Sequence, residues 1–557
     1  MVKRFLNFFG KEINGLHEAA YLLGGFAILS QILALFRDRL LAYKFGATHV
    51  LDIYYAAFRI PDFIFVTIAS MVSISVLIPF LMERLDRSEK DAKEFIDSVF
   101  TVFFFVIGVT AAVAWLATPF LLRLLFPTFE HDFSALVTMT RIMLLSPIFL
   151  GFSNFLASIT QIYKRFFIYA VSPVVYNIGI IFGAVCFYPT MGISGLAWGV
   201  ALGAFLHFFI QTPFVWRKSL FPRFAFPVKW QIVKRVVLTS LPRTITISSN
   251  EIAEFFLIVL AGSLAGGAIS IFNFAWNLQS VPLSVIGVSY SLAAFPVLTR
   301  LFTSGDHKKF LEQMIVSTKH IVFWSVPIMV LFIMVRAQIV RVILGSGRFD
   351  WSDTRLTAAA LAMFTISLIP QSLTALFVRA YYSRGNTKKP LLMNVVSAGC
   401  IILFSYLAVY FFKTAPVFRF FIENLFRVDD VAGTVVLMLP LGFSLGSIVN
   451  MVIHWIAFEF DFRGYTAEVL PPAFQAFSAS VFMGVVTYWL LAVFANYFNL
   501  DTFFGIFLQG LCAGVIGIVL DCAILILMGN REIRDIARTL HHKIWKAKVI
   551  PADPSGV

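Results

Sequence analysis

About fourteen apolar stretches, each long enough to cross a lipid bilayer, run through this chain. A helix needs about 20 predominantly apolar residues to cross the hydrocarbon core. Such stretches lie near residues 18–36, 53–82, 97–118, 135–162, 166–188, 191–214, 236–260, 268–298, 314–335, 355–382, 390–412, 431–458, 472–495 and 502–528. Helices fit runs of this length and barrel strands do not, so we predict an all-α, polytopic membrane protein.

The composition also indicates a membrane protein. Of the 557 residues, 59% are hydrophobic and 13% are charged, whereas soluble domains have about 25% charged residues. The net charge of +14 is distributed in short patches between the apolar stretches, where basic residues orient helices and contact anionic headgroups. We therefore expect no nucleic-acid partner. The four cysteines lie in apolar stretches without metal-ligand spacing, so we expect no disulfide framework and no metal site.

Basic residues alternate from one connection to the next, which predicts the orientation of the chain. The connections 188–191, 260–268 and 495–502 contain no Lys or Arg, and the connections between them are basic. By the positive-inside rule, both termini face the cytoplasm. One connection, 336–355, is an exception, because it would place four arginines outside; a functional loop or a misplaced boundary would explain it. These arginines are Arg336, Arg341, Arg348 and Arg355.

The longest basic connection follows six spans and indicates a chain of two halves. That layout is typical of a transporter with two six-helix repeats and a site between them. We predict an interfacial N-terminal segment (1–17), an N-terminal six-helix lobe (18–216), a basic amphipathic linker (217–235), a C-terminal six-helix lobe (236–460), two extra helices (461–528) and a basic cytoplasmic tail (529–557). Within the C-terminal lobe, residues 413–430 are predicted to form a polar loop.

Three ionisable residues, Arg243, Glu251 and Glu254, lie inside the apolar stretch 236–260. A charge at the centre of a bilayer costs roughly 2.5–3.5 kcal/mol and persists mainly beside a partner or a water-filled cavity. On a helix, Arg243 and Glu254 fall within about 20° of one face, and Glu251 lies about 60° from Glu254. One face therefore carries both signs. It either lines a polar cavity or forms a structural ion pair with another helix.

The first two spans carry a second set of charges, Arg37, Asp38, Asp52 and Arg59. A seven-residue separation places Asp52 and Arg59 on one helix face, about 10 Å apart, where they would line a cavity. In the alternative, the segment from Arg37 onwards ends a helix at the membrane interface and Asp52 caps the next helix. Arg59 lies deeper in an apolar run, which favours a role in the cavity.

Asn277 lies in the eighth span with Asn273 four residues before it, so both share one helix face. They would add polar lining to a cavity or form hydrogen bonds between helices. No phosphate-binding glycine loop, metal-ligand cluster or nucleophile motif occurs at a useful spacing. We therefore expect a transporter that is not an enzyme and that binds no cofactor.

Several short motifs occur in a fixed order over roughly residues 20–400. They are Arg37-Asp38, Phe45-Gly46-Ala47, Arg59-Ile60-Pro61, Arg141-Ile142-Met143-Leu144-Leu145-Ser146-Pro147, Tyr176-Asn177, Gly195-Leu196-Ala197-Trp198-Gly199, Leu241-Pro242-Arg243, Asn277-Leu278-Gln279-Ser280-Val281-Pro282, Gly347-Arg348-Phe349-Asp350, Arg379-Ala380-Tyr381-Tyr382 and Thr387-Lys388-Lys389-Pro390. In order and spacing, these motifs resemble those of the MurJ (MviN) family of lipid II flippases. Each motif alone is weak, and together they are specific.

The resemblance implies a fold and a substrate. The fold would be that of the multidrug/oligosaccharidyl-lipid/polysaccharide exporter superfamily, with two six-helix lobes in a V and two extra helices that form a lipid groove. The substrate would be lipid II, an undecaprenyl-pyrophosphate-linked disaccharide-pentapeptide. It would move from the inner to the outer leaflet of the bacterial inner membrane by alternating access, for cell-wall synthesis, with membrane lipids and cell-wall synthases as partners.

The resemblance also implies roles for the charged residues. Arg37 and Arg59 stand where the family's cavity arginines are thought to hold the pyrophosphate, and Arg243 and Asn277 are further candidates for substrate binding. Asp38 and Asp52 would position the arginines or gate the lobes, while Glu251 and Glu254 are candidates for gating or coupling. An ion gradient or the membrane potential would supply the direction of transport.

The chain departs from the family pattern at several polar positions. Many family members carry charges in helix two and helix eight, where this chain has Phe65, Val66 and Ser70 and then Trp276, Asn277 and Ser280. The position in helix one that is often an arginine is Gln31 here. The positions that bind sodium in some members align near Ile401 and Ser405. We therefore expect no sodium site, and we hypothesise that Glu251 and Glu254 supply the coupling groups by relocation. The alternatives are export of another polyprenyl-linked oligosaccharide, drug antiport, and a transport-dead scaffold for cell-wall synthesis.

Overall fold

The computed structural model describes residues 16–69, 74–218, 220–530 and 532–534. It describes their side chains except those of residues 16–21, 69, 74–76, 242–243 and 245–250. Within these ranges the ordered elements are helices and there is no strand, which confirms the predicted all-α class. The predicted interfacial segment 1–17 and tail 529–557 lie mostly outside the described residues.

The first part of the chain forms eleven helices among the described residues. They are α1 (Leu16–Phe45), α2 (His49–Ala57), α3 (Arg59–Ile64), α4 (Ile74–Leu85), α5 (Glu89–Leu125), α6 (Phe133–Met143), α7 (Leu145–Ile162), α8 (Phe166–Phe182), α9 (Tyr188–Met191), α10 (Ser194–Phe209) and α11 (Thr212–Arg217). Local sequence explains where these helices begin. Ser88, for example, caps α5 by accepting a 3.1 Å hydrogen bond from the Asp91 amide.

Twelve further helices follow. They are α12 (Trp230–Gly262), α13 (Ala268–Leu283), α14 (Ser289–Thr303), α15 (His307–Met334), α16 (Arg336–Ile343), α17 (Trp351–Thr365), α18 (Leu368–Ser383), α19 (Lys388–Thr414), α20 (Pro416–Phe426), α21 (Met438–Asp461), α22 (Tyr465–Phe494) and α23 (Phe503–Leu527). Side-chain caps again mark helix starts: Asp306 accepts from the Lys309 amide at α15 and Thr502 from the Gly505 amide at α23, both at 3.1 Å.

Eleven helical segments in the described part of the chain are long and apolar enough to cross a membrane. This confirms a polytopic membrane protein, whereas the count of fourteen stays a prediction. The three predicted spans without a counterpart are 18–36, 53–82 and 236–260. Two of them lie on α1 and α12, which have 30 and 33 residues and are therefore long enough to cross. The third includes residues 70–73, outside the described ranges.

The described chain divides into two compact units, the first of which comprises residues up to 281, 343–364 and 386–450. Glycines let two of its helices, α8 and α10, pack with their backbones in contact. A Cβ atom on Gly199 would lie 2.5 Å from the Cα of Gly183, closer than carbon atoms can pack. The motif from Gly195 to Gly199 therefore has a packing role.

The predicted linker begins with an extended segment that lies against α5 in this first unit. Asp97 accepts a 2.8 Å hydrogen bond from the amide of Arg223, and Thr101 accepts a 2.9 Å bond from the amide of Ala225. Helix α12 then begins at Trp230, inside the predicted linker range. The predicted lobe boundaries stay a prediction.

The second unit comprises residues 282–342, 365–385 and the chain from 451 onwards. Aromatic side chains from α14, α15, α18, α21 and α22 fill its core, including Phe310, Phe377, Phe458 and Tyr465. Tyr465 is fully buried, and its hydroxyl is hydrogen-bonded to Thr318 at 2.6 Å. The polar end of this aromatic side chain is therefore satisfied inside an apolar core.

The prediction of a polar loop at residues 413–430 is wrong. Residues Pro416–Phe426 form α20, which begins with a proline at its first position and ends at Arg427 in the left-handed conformation (φ 57°). Proline is favoured at a helix start because its missing N–H is not needed there. Charges at the two edges of the segment suggested a polar loop, although residues 416–426 are mostly apolar.

Candidate functional site

A buried polar cluster joins α1, α8 and α13 within the first unit. Arg37 donates two hydrogen bonds to Asp38 Oδ1, from Nε at 3.0 Å and Nη2 at 2.8 Å, and one from Nη1 to Asn177 Oδ1 at 3.2 Å. Asn277 donates from Nδ2 to Asp38 Oδ2 at 2.9 Å. Asp38 is thus held on both oxygens, and its side chain is only 3% exposed.

In this cluster the cation Arg37 and the anion Asp38 form an ion pair, and each also has a hydrogen bond to an asparagine. The Arg37 side chain is 20% exposed, so its guanidinium has residual access to its surroundings. Asp38 orients that guanidinium, and Asn177 fixes the other edge. Charge-assisted hydrogen bonds of this kind are roughly twice as strong as neutral ones. The arrangement presents an oriented positive charge that an anionic ligand can approach.

Asp52 fixes the start of α13 instead of lining a cavity with Arg59. Its carboxylate accepts from the Gly267 amide at 2.6 Å, from the Ser270 amide at 2.8 Å and from the Ser270 hydroxyl at 2.6 Å. The first amides of a helix have no partner within the helix. A carboxylate from another helix satisfies them here and interacts favourably with the helix dipole.

Arg59 forms the second buried charge pair. Its Nη1 donates to Glu254 Oε1 of α12 at 3.0 Å, its Nε donates to the Tyr55 carbonyl at 3.4 Å, and its Nη2 lies 4.0 Å from Asp62. The side chains of Arg59 and Glu254 are 10% and 18% exposed. The charges predicted separately in the second and seventh spans thus meet as an ion pair.

Glu251 lies one helical turn before Glu254 on the partly buried surface of α12, and it makes no hydrogen bond or ion pair with the described side chains. The side chain of Arg243 lies outside the described residues, although its backbone is part of α12. Asn273 donates at 2.8 Å to the Ile269 carbonyl of its own helix. It therefore forms no bond to Asn277.

The second predicted span is not one regular helix, and Asp52 and Arg59 have partners on different helices. Helix α2 ends at Ala57 and α3 begins at Arg59, with Phe58 between them, and a π-helical turn follows at Phe65–Ala69. Asp52 contacts α13, whereas Arg59 contacts α12. A π-helical turn often marks a functional position in a helix.

Residues outside the sequence prediction complete both clusters. Asn177 belongs to the Tyr176-Asn177 motif, Asp62 directly follows the Arg59-Ile60-Pro61 motif, and Ser270 carried no signal beyond its place after a glycine pair. Asn177 is 6% exposed in an otherwise apolar helix. A buried amide in an apolar run has to find a hydrogen-bond partner, and this was the signal available for Asn177.

A third set of contacts joins the end of α1 to the segment before α17. Asp353 accepts from the Ala47 amide at 2.9 Å, and the Arg348 amide donates to the Tyr43 carbonyl at 3.0 Å. Gly46 has φ +67°, and a Cβ there would lie 2.6 Å from the Arg348 carbonyl oxygen. Only glycine fits this backbone conformation and this approach.

The exceptional arginines of residues 336–355 have specific partners. Arg336 and Arg341 donate to the carbonyls of Ile333 and Leu500 at 2.8 and 2.9 Å. Arg355 is paired with Asp430, with Nη1 2.8 Å from Oδ2. Three of the four arginines in this connection are thus engaged in structural contacts.

The described residues contain no metal-ligand group, and one surface cleft lies apart from the two charge clusters. Among the described residues, no group of three or more His, Cys, Asp or Glu is arranged to hold a metal ion. A cleft of about 380 Å³ lies at the end of α5, lined by Arg123, Phe126, Pro127, Glu130 and Phe133. It contains none of the predicted site residues, so we base the candidate site on the two charge clusters.

Comparison with known proteins identifies a family. The family model described as lipid II flippase MurJ matches residues 41–508. The lipid II flippase MurJ of Burkholderia cenocepacia is 26% identical over 385 residues, which cover 67% of this chain and 75% of that protein. A probable lipid II flippase MurJ of Bdellovibrio bacteriovorus is 28% identical over 405 residues, covering 69% of this chain and 76% of the relative.

Solved structures agree on the fold. The lipid II flippase MurJ in an inward closed conformation has a TM-score of 0.72 at 21% identity, and the match covers 91% of this chain and 99% of that one. An inward-facing multidrug resistance MATE family transporter of the MOP superfamily has a TM-score of 0.62 at 15% identity, covering 79% and 95%. The family match spans well over half of the sequence and confirms the resemblance: this chain belongs to the lipid II flippase MurJ family.

Proposed function

We propose that this chain is a flippase that moves lipid II from the inner to the outer leaflet by alternating access. The observation that carries the proposal is the pair of partly buried, ion-paired guanidinium groups, Arg37 and Arg59, in a chain whose residues 41–508 match the flippase family. A scaffold or anchor has no need of oriented, partly buried cations. A transporter for an anionic headgroup requires them.

The two arginines suit the chemistry of a pyrophosphate-linked sugar. Such a headgroup cannot cross hydrocarbon unaided, because its charged oxygens would lose their hydration. Arg37 and Arg59 would replace that hydration with charge-assisted hydrogen bonds. The carboxylates of Asp38 and Glu254 hold the guanidinium groups in place before substrate arrives. The lipid tail can stay in the membrane throughout.

The remaining predicted residues have separate roles in this proposal. Asn277 would contact the substrate beside Asp38, to which its side-chain amide donates. Asp52 would keep α13 in register with α2, so that Asn277 and Asp38 meet. Glu251 and Glu254 would be the coupling groups, because Glu254 is the ion-pair partner of Arg59 and Glu251 lies one turn before it. An ion gradient or the membrane potential would supply the energy.

The proposal also assigns a location and partners. The chain would lie in the bacterial inner membrane with both termini in the cytoplasm, as the alternating basic connections predict. Lipid II would be its substrate, membrane lipids would surround it, and cell-wall synthases would use the product. Transport of this kind forms no covalent bond, so the chain would act without enzymatic chemistry and without a bound cofactor.

Complementation tests the proposal directly. In a bacterium depleted of its own flippase, the chain is expected to restore growth and the outward movement of lipid II. Arg59→Ala is expected to abolish both at an unchanged level in the membrane. The matched control is Arg87→Ala, which removes an arginine in the turn after α4 whose side chain is 63% exposed and paired with Glu83. Normal growth with Arg59→Ala would favour a scaffold and overturn the proposal.

A further inference from the structure

Helix α20 carries its apolar residues on the outside. Val417, Phe420, Phe421 and Leu425 are 82%, 67%, 59% and 56% exposed. On a helix these positions fall within an arc of about 140°. Asn424 lies in the same arc, and its amide donates at 2.9 Å to the Phe420 carbonyl of its own helix. The exposed face therefore carries no charge.

The opposite face of α20 buries Ile422 and Glu423 and is fixed by polar contacts. Glu423 is 7% exposed, and its Oε1 accepts from the Thr434 hydroxyl at 2.6 Å and from Arg419 Nε at 2.9 Å. A helix on a protein surface in water usually has the reverse arrangement, with its apolar stripe inward. The hydrogen bond between Glu423 and Thr434 fixes the rotation of α20 about its own axis. The apolar face of α20 is therefore held on the outside of the protein.

The position of α20 along the chain indicates what covers this face. Only Ala415 separates α20 from α19, which is one of the helices long and apolar enough to span the membrane. One residue extends at most about 3.8 Å, so α20 begins at the membrane end of α19. The last turns of α19 expose Tyr410 and Phe411, which continue the apolar surface towards α20.

The far end of α20 is also anchored. Arg355 of α17 binds Asp430 with Nη2 2.5 Å from Oδ1, and it donates to the carbonyl of Arg427 as well. The helix is therefore held at both ends, by a short connection to α19 and by an arginine clamp. Because α20 continues the exposed apolar surface at the end of α19, the acyl chains that surround a spanning helix would also reach α20.

We propose that α20 is an interfacial helix seated in the lipid leaflet at the C-terminal end of α19. Val417, Phe420, Phe421 and Leu425 contact acyl chains, and Arg419 lies at the level of the headgroups. Helices that lie in a membrane interface have this division, with large apolar residues on one face and basic residues on the other. The inference concerns lipid contact alone, so it stands or falls independently of the transported substrate.

Lipid quenching tests the proposal. The four native cysteines, Cys186, Cys400, Cys512 and Cys522, are replaced by alanine, and Phe420→Cys carries an environment-sensitive dye. In vesicles of phosphatidylethanolamine and phosphatidylglycerol, a lipid with a nitroxide near the glycerol is expected to quench this dye at least about twofold more than a dye at Asp429→Cys. Leu407→Cys in α19 serves as the membrane-embedded reference. Equal quenching at 420 and 429 would overturn the proposal.

A second measurement uses the unaltered chain in the same vesicles. A lipid with a diazirine in its acyl chain is activated by light, and tryptic peptides are analysed by mass spectrometry. Cleavage after Arg419 and Arg427 releases peptide 420–427, which is expected to carry lipid adducts. Peptide 349–355 is the control and is expected to carry few. If peptide 420–427 carries no lipid but forms crosslinks to another protein in native membranes, a protein covers α20 and the proposal is wrong.

Discussion

Asp52 accepts two hydrogen bonds from Ser270, one from its amide and one from its hydroxyl. Through this contact, a carboxylate of α2 fixes the first turn of α13. The same helix then carries Asn277 to Asp38, two turns further along. The two acids therefore act on one helix at two levels. Asp52 fixes the position of α13, and Asp38 accepts a hydrogen bond from Asn277 on that helix.

Asp52→Ala is expected to destabilise the protein. The substitution leaves the amides of Gly267 and Ser270 and the hydroxyl of Ser270 without an acceptor. Each buried polar group without a partner costs about 1–3 kcal/mol, so we expect a loss on the order of 2–4 kcal/mol. Chemical denaturation of the purified protein in mixed micelles measures this change.

The matched control is Asp86→Ala, which removes an exposed acid from the turn after α4. This variant is expected to change the free energy of unfolding by less than about 0.5 kcal/mol. Asp52→Asn keeps one acceptor oxygen and is expected to fall between the two variants. Equal stability of Asp52→Ala and Asp86→Ala would show that the cap contributes nothing.

Neutralising Glu251 and Glu254 together is expected to slow transport by about tenfold or more, because removing about 1.4 kcal/mol of interaction corresponds to tenfold in rate. Glu254 is the partner of Arg59, and Glu251 lies one turn before it on α12. Glutamine keeps the shape of each side chain and removes its charge. Lipid II movement in reconstituted vesicles, normalised to the amount of folded protein, measures the effect.

Glu83→Gln is the control for the glutamate substitutions. Glu83 is 49% exposed and pairs with Arg87 at the end of α4. Its loss is expected to leave transport unchanged, since exposed pairs of this kind contribute at most about 1 kcal/mol. If the double variant of Glu251 and Glu254 transports at the same rate as Glu83→Gln, the hypothesis of relocated coupling groups is wrong.

The sequence was sufficient to predict the helical membrane fold, because a long apolar run leaves few alternatives in lipid. It was insufficient for segments where tertiary contacts decide. Residues 413–430 carry charges at both edges, and α20 between them depends on Thr434, which lies outside that segment, and on Arg355, which is 75 positions from Asp430. By contrast, the end of α2 at Ala57 did have a signal in the sequence, because Pro61, four residues later, cannot donate a helical hydrogen bond to the Ala57 carbonyl.

The sequence was sufficient to predict individual residues of the candidate site, but it was insufficient to predict which of them form pairs. Asp38, Arg59 and Glu254 were all singled out, because charges in or beside apolar runs are costly and therefore conspicuous. The pairings between the residues were not predicted, since Arg59 and Glu254 are 195 positions apart and Asn277 is 239 positions from Asp38. Helical periodicity defines a face of one helix. It does not say which face of another helix packs against it.

The Arg355–Asp430 pair predicts a pH-dependent contribution to stability outside the spans. The hydrogen bond from Arg355 holds the pKa of Asp430 below its usual value. A depressed pKa in the folded state means that the contribution is present above the unfolded value of about 3.9 and is lost as the pH falls through the folded value. The midpoint of thermal unfolding should therefore differ between the wild type and Asp430→Asn near neutral pH.

That difference is expected to shrink as the pH falls below about 4, and it is expected to be small because Asp430 is 67% exposed. Asp429→Asn, which changes the neighbouring exposed acid, is the control and should leave the wild-type pH profile unchanged. A constant difference between wild type and Asp430→Asn at every pH would show that the ion pair makes no contribution through this carboxylate.

Gly199→Ala is expected to disrupt the packing of α8 against α10. A Cβ at position 199 would lie 2.5 Å from the Cα of Gly183 and 3.1 Å from the Gly179 carbonyl oxygen, and backbone atoms cannot move aside as a flexible side chain can. Overpacking costs about 1–3 kcal/mol. Gly399→Ala is the matched control, since nothing lies within 4 Å of a Cβ there. Alanine stabilises a helix relative to glycine by about 1 kcal/mol, so Gly399→Ala should be neutral or stabilising. The free energy of unfolding of both variants is measured in mixed micelles. Equal stability of the two variants would refute the close contact of the two helices.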